Sequence, residues 1–190
     1  MPHGTAAQII FVCTRGDDRD GIFPIGLIQS ANQLSASKRG ILLTELSGEA
    51  LAQASLVVLH LHWDFNYIFF AELVRFIKAC APRSRTLIGG YIATVHPERL
   101  LRAHPGVDYV LTRDYEQPFV KLVEAVLAER TAKWIRENVP NVYSRAGAPR
   151  QPYRVTASEL STLDSHTIDW FSALEQYLKF QNSLNLLVRQ

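Results

Sequence analysis

Five short apolar, β-branched runs alternate with stretches of helical periodicity, and that alternation limits the fold more than any other feature of the sequence. The runs are Gln8 to Cys13, Ile41 to Leu46, Leu56 to His62, Thr86 to Ile88 and Val107 to Leu111. Between them, Pro24 suits a first helical turn and is followed by Leu27, Ile28, Ala31 and Leu34 at helical spacing. Ser47 is placed to cap a short helix carrying Leu51 and Ala54. The next helix sets Phe70, Leu73, Val74, Ile77 and Ala81 on one side and Glu72, Arg75 and Lys78 on the other, and Pro82 stops it. Pro97 to Ala103 reads as a short helix, and Pro118 opens another with the stripe Phe119, Leu122, Val123 and Val126.

The order βαβαβαβαβα predicts an α/β fold, a parallel sheet covered by helices on both faces with right-handed crossovers. The third run is apolar without interruption as far as His60, as a strand buried on both faces should be. For five strands the expected arrangement is flavodoxin-like (Rossmann-like), in the order 2-1-3-4-5 with a switch point between the first and third strands. This domain is expected to span 8–130. From Thr131 the pattern changes, and 131–190 reads as a linker or extension. A small hairpin is expected around Val139–Tyr143, Gly147 and Tyr153–Thr156, and short helices between Ser158 and Phe180. Asn185 to Val188 reads as the start of a strand, which suggests a piece cut at a domain boundary.

Length and composition narrow the function classes. A chain of 190 residues has room for one full domain and an appendage. A net charge of +2 without a basic run gives no electrostatic case for nucleic acid. No apolar run reaches the length of about 18 residues that a spanning helix needs, so no membrane partner is expected. No signal-peptide pattern opens the chain. The two cysteines, Cys13 and Cys80, fall on a strand and a helix and make no disulfide framework, so a cytoplasmic location is expected.

Open α/β sheets bind ligands outside the carboxyl ends of their strands. Here those ends carry His60-Leu61-His62-Trp63, Gly89-Gly90 and Asp114-Tyr115-Glu116. His60 and His62 share one face of a strand. They suit an anion, a flat ligand or a metal, or one of them is simply buried and hydrogen-bonded. Zinc would need a third ligand, and His96, Asp17 and Asp114 offer no tight spacing, so no metal site is assigned. Gly89-Gly90 permits either a plain turn or a close backbone approach to a ligand. The Asp17-Asp18-Arg19-Asp20 cluster with Asp64 is compatible with a phosphorylation or magnesium site, as in receiver domains. The fifth strand ends in Thr112-Arg113-Asp114 without the lysine such a site uses, and a solvated loop is the simpler account.

Three segments together carry a family likeness. They are Leu56 to Asn66, Gly89-Gly-Tyr-Ile-Ala-Thr94, and Gly106-Val-Asp-Tyr-Val-Leu-Thr-Arg-Asp-Tyr-Glu-Gln-Pro118. In this the chain resembles the N-terminal cobalamin-binding domain of radical S-adenosylmethionine proteins. Asn138 to Tyr143 and Leu163-Asp164 resemble the linker those proteins place before the catalytic barrel.

The resemblance implies a cobalamin-binding module that is non-catalytic by itself and serves a parent enzyme of methyl transfer or rearrangement. The barrel would be its partner in cis, carrying a [4Fe-4S] cluster and S-adenosylmethionine. Two distant cysteines cannot supply the three cluster ligands. The corrin would lie over the carboxyl edge, with Gly89 and Gly90 letting the nucleotide tail pass between sheet and helix. His60 and His62 would line the tail channel or touch the corrin rim. Tyr91 and Thr94 would close one side, and Asp114, Tyr115 and Glu116 the opposite rim.

The loop after the first strand has no histidine, so the cobalt would lack a lower ligand from that loop. On this reading Gly90→Leu should keep the fold and fill the tail path. The alternative implied by His60, His62 and Arg113 is a degenerate domain that binds no cobalamin and positions a substrate or partner.

Overall fold

The structure, a computed structural model, describes residues 8–13, 25–61 and 69–163. The elements run β1 (Gln8–Cys13), α1 (Ile25–Asn32), β2 (Lys38–Leu42), α2 (Gly48–Leu51), β3 (Ala54–His60), α3 (Phe70–Cys80), β4 (Arg85–Gly89), α4 (Tyr91–Val95) and α5 (Pro97–Ala103). They continue with β5 (Tyr109–Leu111), α6 (Glu116–Leu127), α7 (Ala132–Asn138), β6 (Val142–Ser144) and α8 (Ala157–Leu160).

The strands form one sheet in the order β2-β1-β3-β4-β5-β6. The first five are parallel in the expected order. The sixth is a correction to the five-stranded expectation. Val142–Ser144 pairs antiparallel with β5, Val110 opposite Tyr143, where a separate hairpin was expected. Only a bridge between Ser144 and Gly147 remains of that hairpin. The physical reason lies in α7, which returns the chain to the open edge of β5. Ile135, Val139 and Val142 are all buried there, and β6 covers a row of unpaired backbone groups.

Alternate residues of each strand serve two apolar layers. Ile10, Val12, Val57, Leu59, Ile88 and Val110 face Leu51, Phe70, Val74, Ile77 and Leu100. Ile9, Phe11, Leu56, Val58, Leu87 and Leu111 face Ala31, Phe119, Leu122, Val123 and Ile135. The rings of Phe11 and Phe119 meet at 5.8 Å. Both faces are thus shielded, as the continuous apolar runs required.

Two local details depart from the sequence reading. The second strand starts and ends earlier than expected. Leu43–Glu45 forms a 3₁₀ turn, in which the Glu45 carboxylate accepts the Leu42 N–H at 3.2 Å. Tyr91–Val95 is helical despite its β-branched residues. Ser47 caps α2 as expected, its Oγ accepting the Ala50 N–H at 3.2 Å.

At the amino edge, Asp108 gathers three donors. Its carboxylate accepts Lys78 Nζ at 2.7 Å, Arg85 Nη1 at 3.0 Å and the Thr86 N–H at 2.9 Å. Lys78 also donates to the Ser84 carbonyl at 2.6 Å. Among the described residues no helix is long and apolar enough to cross a membrane.

Candidate functional site

At the carboxyl edge β3 and β4 run in register, His60 beside Gly89. Leu61 continues the ladder, its N–H donating to the Gly89 carbonyl at 2.8 Å. The chain must then turn sharply into α4, and Gly90 makes that turn with φ 105° and ψ −174°. This backbone region is essentially reserved for glycine. A Cβ on Gly90 would stand 2.2 Å from the Leu61 carbonyl oxygen, which also accepts the Ile92 N–H at 3.3 Å. The expectation that Gly90→Leu keeps the fold therefore fails: the side chain would strike the backbone of the neighbouring strand end before it filled any channel.

Gly89 is a different case. It carries no positive φ, and its missing Cβ makes room for a ring. A Cβ there would lie 3.3 Å from Tyr115 Cε1. The Tyr115 phenol oxygen accepts the Gly90 N–H at 2.6 Å. His60, on the strand face shared by Leu56 and Val58, sets its ring edge-on to Tyr115 at 6.5 Å between centroids. Tyr115 is partly buried and packs onto the core layer of α6. Burial pushes its pKa up to about 12, against the lowering effect of the Gly90 hydrogen bond.

Thr94 ties this corner together. Its hydroxyl donates to the Gly90 carbonyl at 3.1 Å and accepts the Arg113 N–H at 2.9 Å, where Arg113 turns with φ 60°. Tyr91 is 59% exposed and leaves the rim above β4 uncovered on that side.

The acidic end of the rim looks elsewhere. Asp114 Oδ2 accepts the Val155 N–H at 2.9 Å. Asn141, buried with φ 58°, accepts the Tyr153 N–H and donates to the Tyr153 carbonyl, both at 2.9 Å. Its own carbonyl accepts the Thr112 N–H and hydroxyl. These bonds lay residues 153–155 along the loop after β5. Gln117 and Glu159 hydrogen-bond over the same joint. Glu116 is buried, and one of its carboxylate oxygens has no hydrogen-bond partner among the described residues. Burial holds its pKa above the ordinary carboxylate value, with Asp114 and Glu159 adding repulsion.

The structure thus brings His60, Gly89, Gly90, Thr94 and Tyr115 into one corner, with Tyr91 at its open side. Asp114 and Glu116 sit beside it, engaged by the extension or buried. His62 lies outside the described residues, as do Trp63, Asp64 and the Asp17–Asp20 cluster. Among the described residues no three His, Cys, Asp or Glu side chains gather to hold a metal. Asn141 escaped the sequence reading. Its signal was the Pro140-Asn141 pair, a turn dipeptide whose asparagine tolerates positive φ.

The sheet and its glycine corner can now be set against known families. Residues 49–123 match the B12 binding domain. No curated protein matches the chain. The matched stretch runs from α2 into α6 and takes in every residue of the corner just described. It supports a cobalamin-binding domain on a mixed α/β sheet of flavodoxin-like order.

The residues matched to the B12 binding domain would fit a cobalamin unevenly. Tyr91 is exposed at the edge, while the Thr94 hydroxyl is already engaged by Gly90 and Arg113. The slot beside Gly89 is filled by the Tyr115 ring and does not fit a second aromatic group while that ring is in place.

Proposed function

We propose that the chain is the cobalamin-binding domain of a larger radical S-adenosylmethionine enzyme, binding the cofactor without catalysing by itself. One observation carries the cofactor: the B12-binding match over residues 49–123 falls on a sheet whose β4 ends in the Gly89-Gly90 turn. The radical partner rests on the sequence likeness of the three segments and of the linker after Asn138. In this reading 8–130 holds the corrinoid, and 131–190 leads to a barrel that supplies the [4Fe-4S] cluster and S-adenosylmethionine in the cytoplasm. The parent reaction is methyl transfer or rearrangement. His60, His62, Gly89, Gly90, Tyr91 and Thr94 line the ligand in this reading; Tyr115, expected on the opposite rim, packs against Gly89 in the same corner, and Asp114 and Glu116 lie beside it. Cobalamin, when bound, supplies a cobalt centre able to carry a methyl group. The chain's own residues hold and orient it.

The degenerate reading keeps one specific support, the Tyr115 ring packed against Gly89, beside which the family resemblance would route the nucleotide tail. Titration with hydroxocobalamin and methylcobalamin separates the two, followed by visible absorption and calorimetry. Saturable binding near one to one is the expected result. No binding of any corrinoid by a folded protein refutes the cofactor reading and leaves the positioning module.

A further inference from the structure

The space beside Gly89 holds a ring, and that ring is a side chain of the protein itself, Tyr115. One wall is the glycine backbone of β4, where a Cβ would come within 3.3 Å of the ring. A second is the edge of the His60 imidazole. At the end stands a backbone donor, the Gly90 N–H, which the phenol oxygen accepts at 2.6 Å. A planar aromatic group bearing one acceptor meets the same three demands. A nucleotide base of the benzimidazole type is such a group, and Tyr115 imitates it.

We propose that Tyr115 makes this site selective among corrinoids: its phenol closes the slot to a nucleotide base. The chain then prefers a corrinoid that carries no base, and removal of the ring abolishes that preference. The inference rests on the cobalamin reading for the corrin itself. The slot stands on the local geometry alone. The backbone turn alone accounts for the positive φ of Gly90, so the pair Gly89-Gly90 is not by itself a mark of an open channel. Gly89 supplies the space, and Tyr115 takes it.

The test uses the full chain, wild type and the variants Tyr115→Gly and Tyr115→Phe, with aquocobinamide, hydroxocobalamin and free 5,6-dimethylbenzimidazole as probes. Wild type is expected to bind cobinamide at least about tenfold more tightly than cobalamin, the equivalent of one displaced hydrogen bond and its ring contact. Tyr115→Phe should keep the preference, because the ring fills the slot. Tyr115→Gly should lose it through tighter cobalamin binding. Free dimethylbenzimidazole should shift the Gly90 amide resonance saturably in Tyr115→Gly and leave it unmoved in wild type.

Equal affinities of wild type for both corrinoids overturn the inference, and this measurement needs no variant to fold. A folded Tyr115→Gly protein in which dimethylbenzimidazole leaves the Gly90 amide untouched overturns it as well. Failure of every protein to bind either corrinoid refutes the cofactor reading instead. The benzimidazole shift then still decides whether Tyr115 covers a ring site.

Discussion

Gly89 and Gly90 are adjacent and equally small, yet the structure assigns them opposite sensitivities to a methyl group. In Gly90→Ala the new Cβ must sit at φ 105°, and 2.2 Å from the Leu61 carbonyl oxygen. Holding a non-glycine residue in that region costs about 1–3 kcal/mol. Relieving a clash against backbone that already accepts the Ile92 N–H adds about 1–3 kcal/mol. The expected loss is about 2–6 kcal/mol, a fall of roughly 4–24 °C in Tm for a domain of this size.

In Gly89→Ala the contact is 3.3 Å to a ring carbon of Tyr115, no positive φ is required, and the ring must give by a few tenths of an ångström. Its cost is expected within about 1 kcal/mol, because restricting the unfolded chain offsets part of the crowding. Urea unfolding of the three proteins, followed by circular dichroism, measures both. Equal midpoints for the two variants, or a Gly90→Ala protein as stable as wild type, would refute the assignment of Gly90 to backbone geometry.

Two further outcomes are expected. Tyr115 has a folded pKa of about 12 against about 10 unfolded, so its neutral form is favoured by folding. The stability it contributes is complete below pH 10 and is lost as pH rises from 10 to 12, about 2–3 kcal/mol in all. Tyr115→Phe should flatten this part of the alkaline loss in urea midpoints, leaving the share of Tyr153, also pushed up to about 12 by burial and Glu159. An unchanged alkaline slope would place the phenol in solvent. For the extension, Asn141→Gly keeps the positive φ and removes the paired bonds to Tyr153, at a cost of about 1–3 kcal/mol. Amide exchange at Tyr153 and Val155 should then speed up relative to β5, and unchanged protection there would mean that something other than Asn141 holds the segment.

Strand order was readable because the alternation of apolar runs and helical stripes, joined by right-handed crossovers, leaves few alternatives. The α3 face of Phe70, Val74 and Ile77 followed from period alone. The sixth strand was not readable: Val142-Tyr143-Ser144 is too short for a period, and its pairing depends on the unfilled edge of β5. Helix α4 defeats propensity, since Ile92, Thr94 and Val95 are β-branched, and it exists because Gly90 aims the chain back along the sheet.

For the site, the sequence placed Gly89, Gly90 and Tyr115 at one edge by the general rule for α/β sheets. It did not show that two of them answer to each other. That relation depends on a ring from the loop after β5 folding inward over a residue without a Cβ, which no spacing along the chain encodes. The roles of Asp114 and Asn141 were hidden for a similar reason, because their partners lie in the segment read as a linker.

Asp108 gives the far end of the sheet a different mechanical character. By pinning Lys78, Arg85 and the Thr86 amide at once, it fixes the register of β4 against β5 and fastens both to α3. The two strands behave as the leaves of a book sewn at the spine. Displacing the phenol at the open margin cannot be relieved by one leaf sliding past the other, so the disturbance stays within the corner that caused it. Removing the Tyr115 ring should therefore leave the Asp108 end of both strands in register.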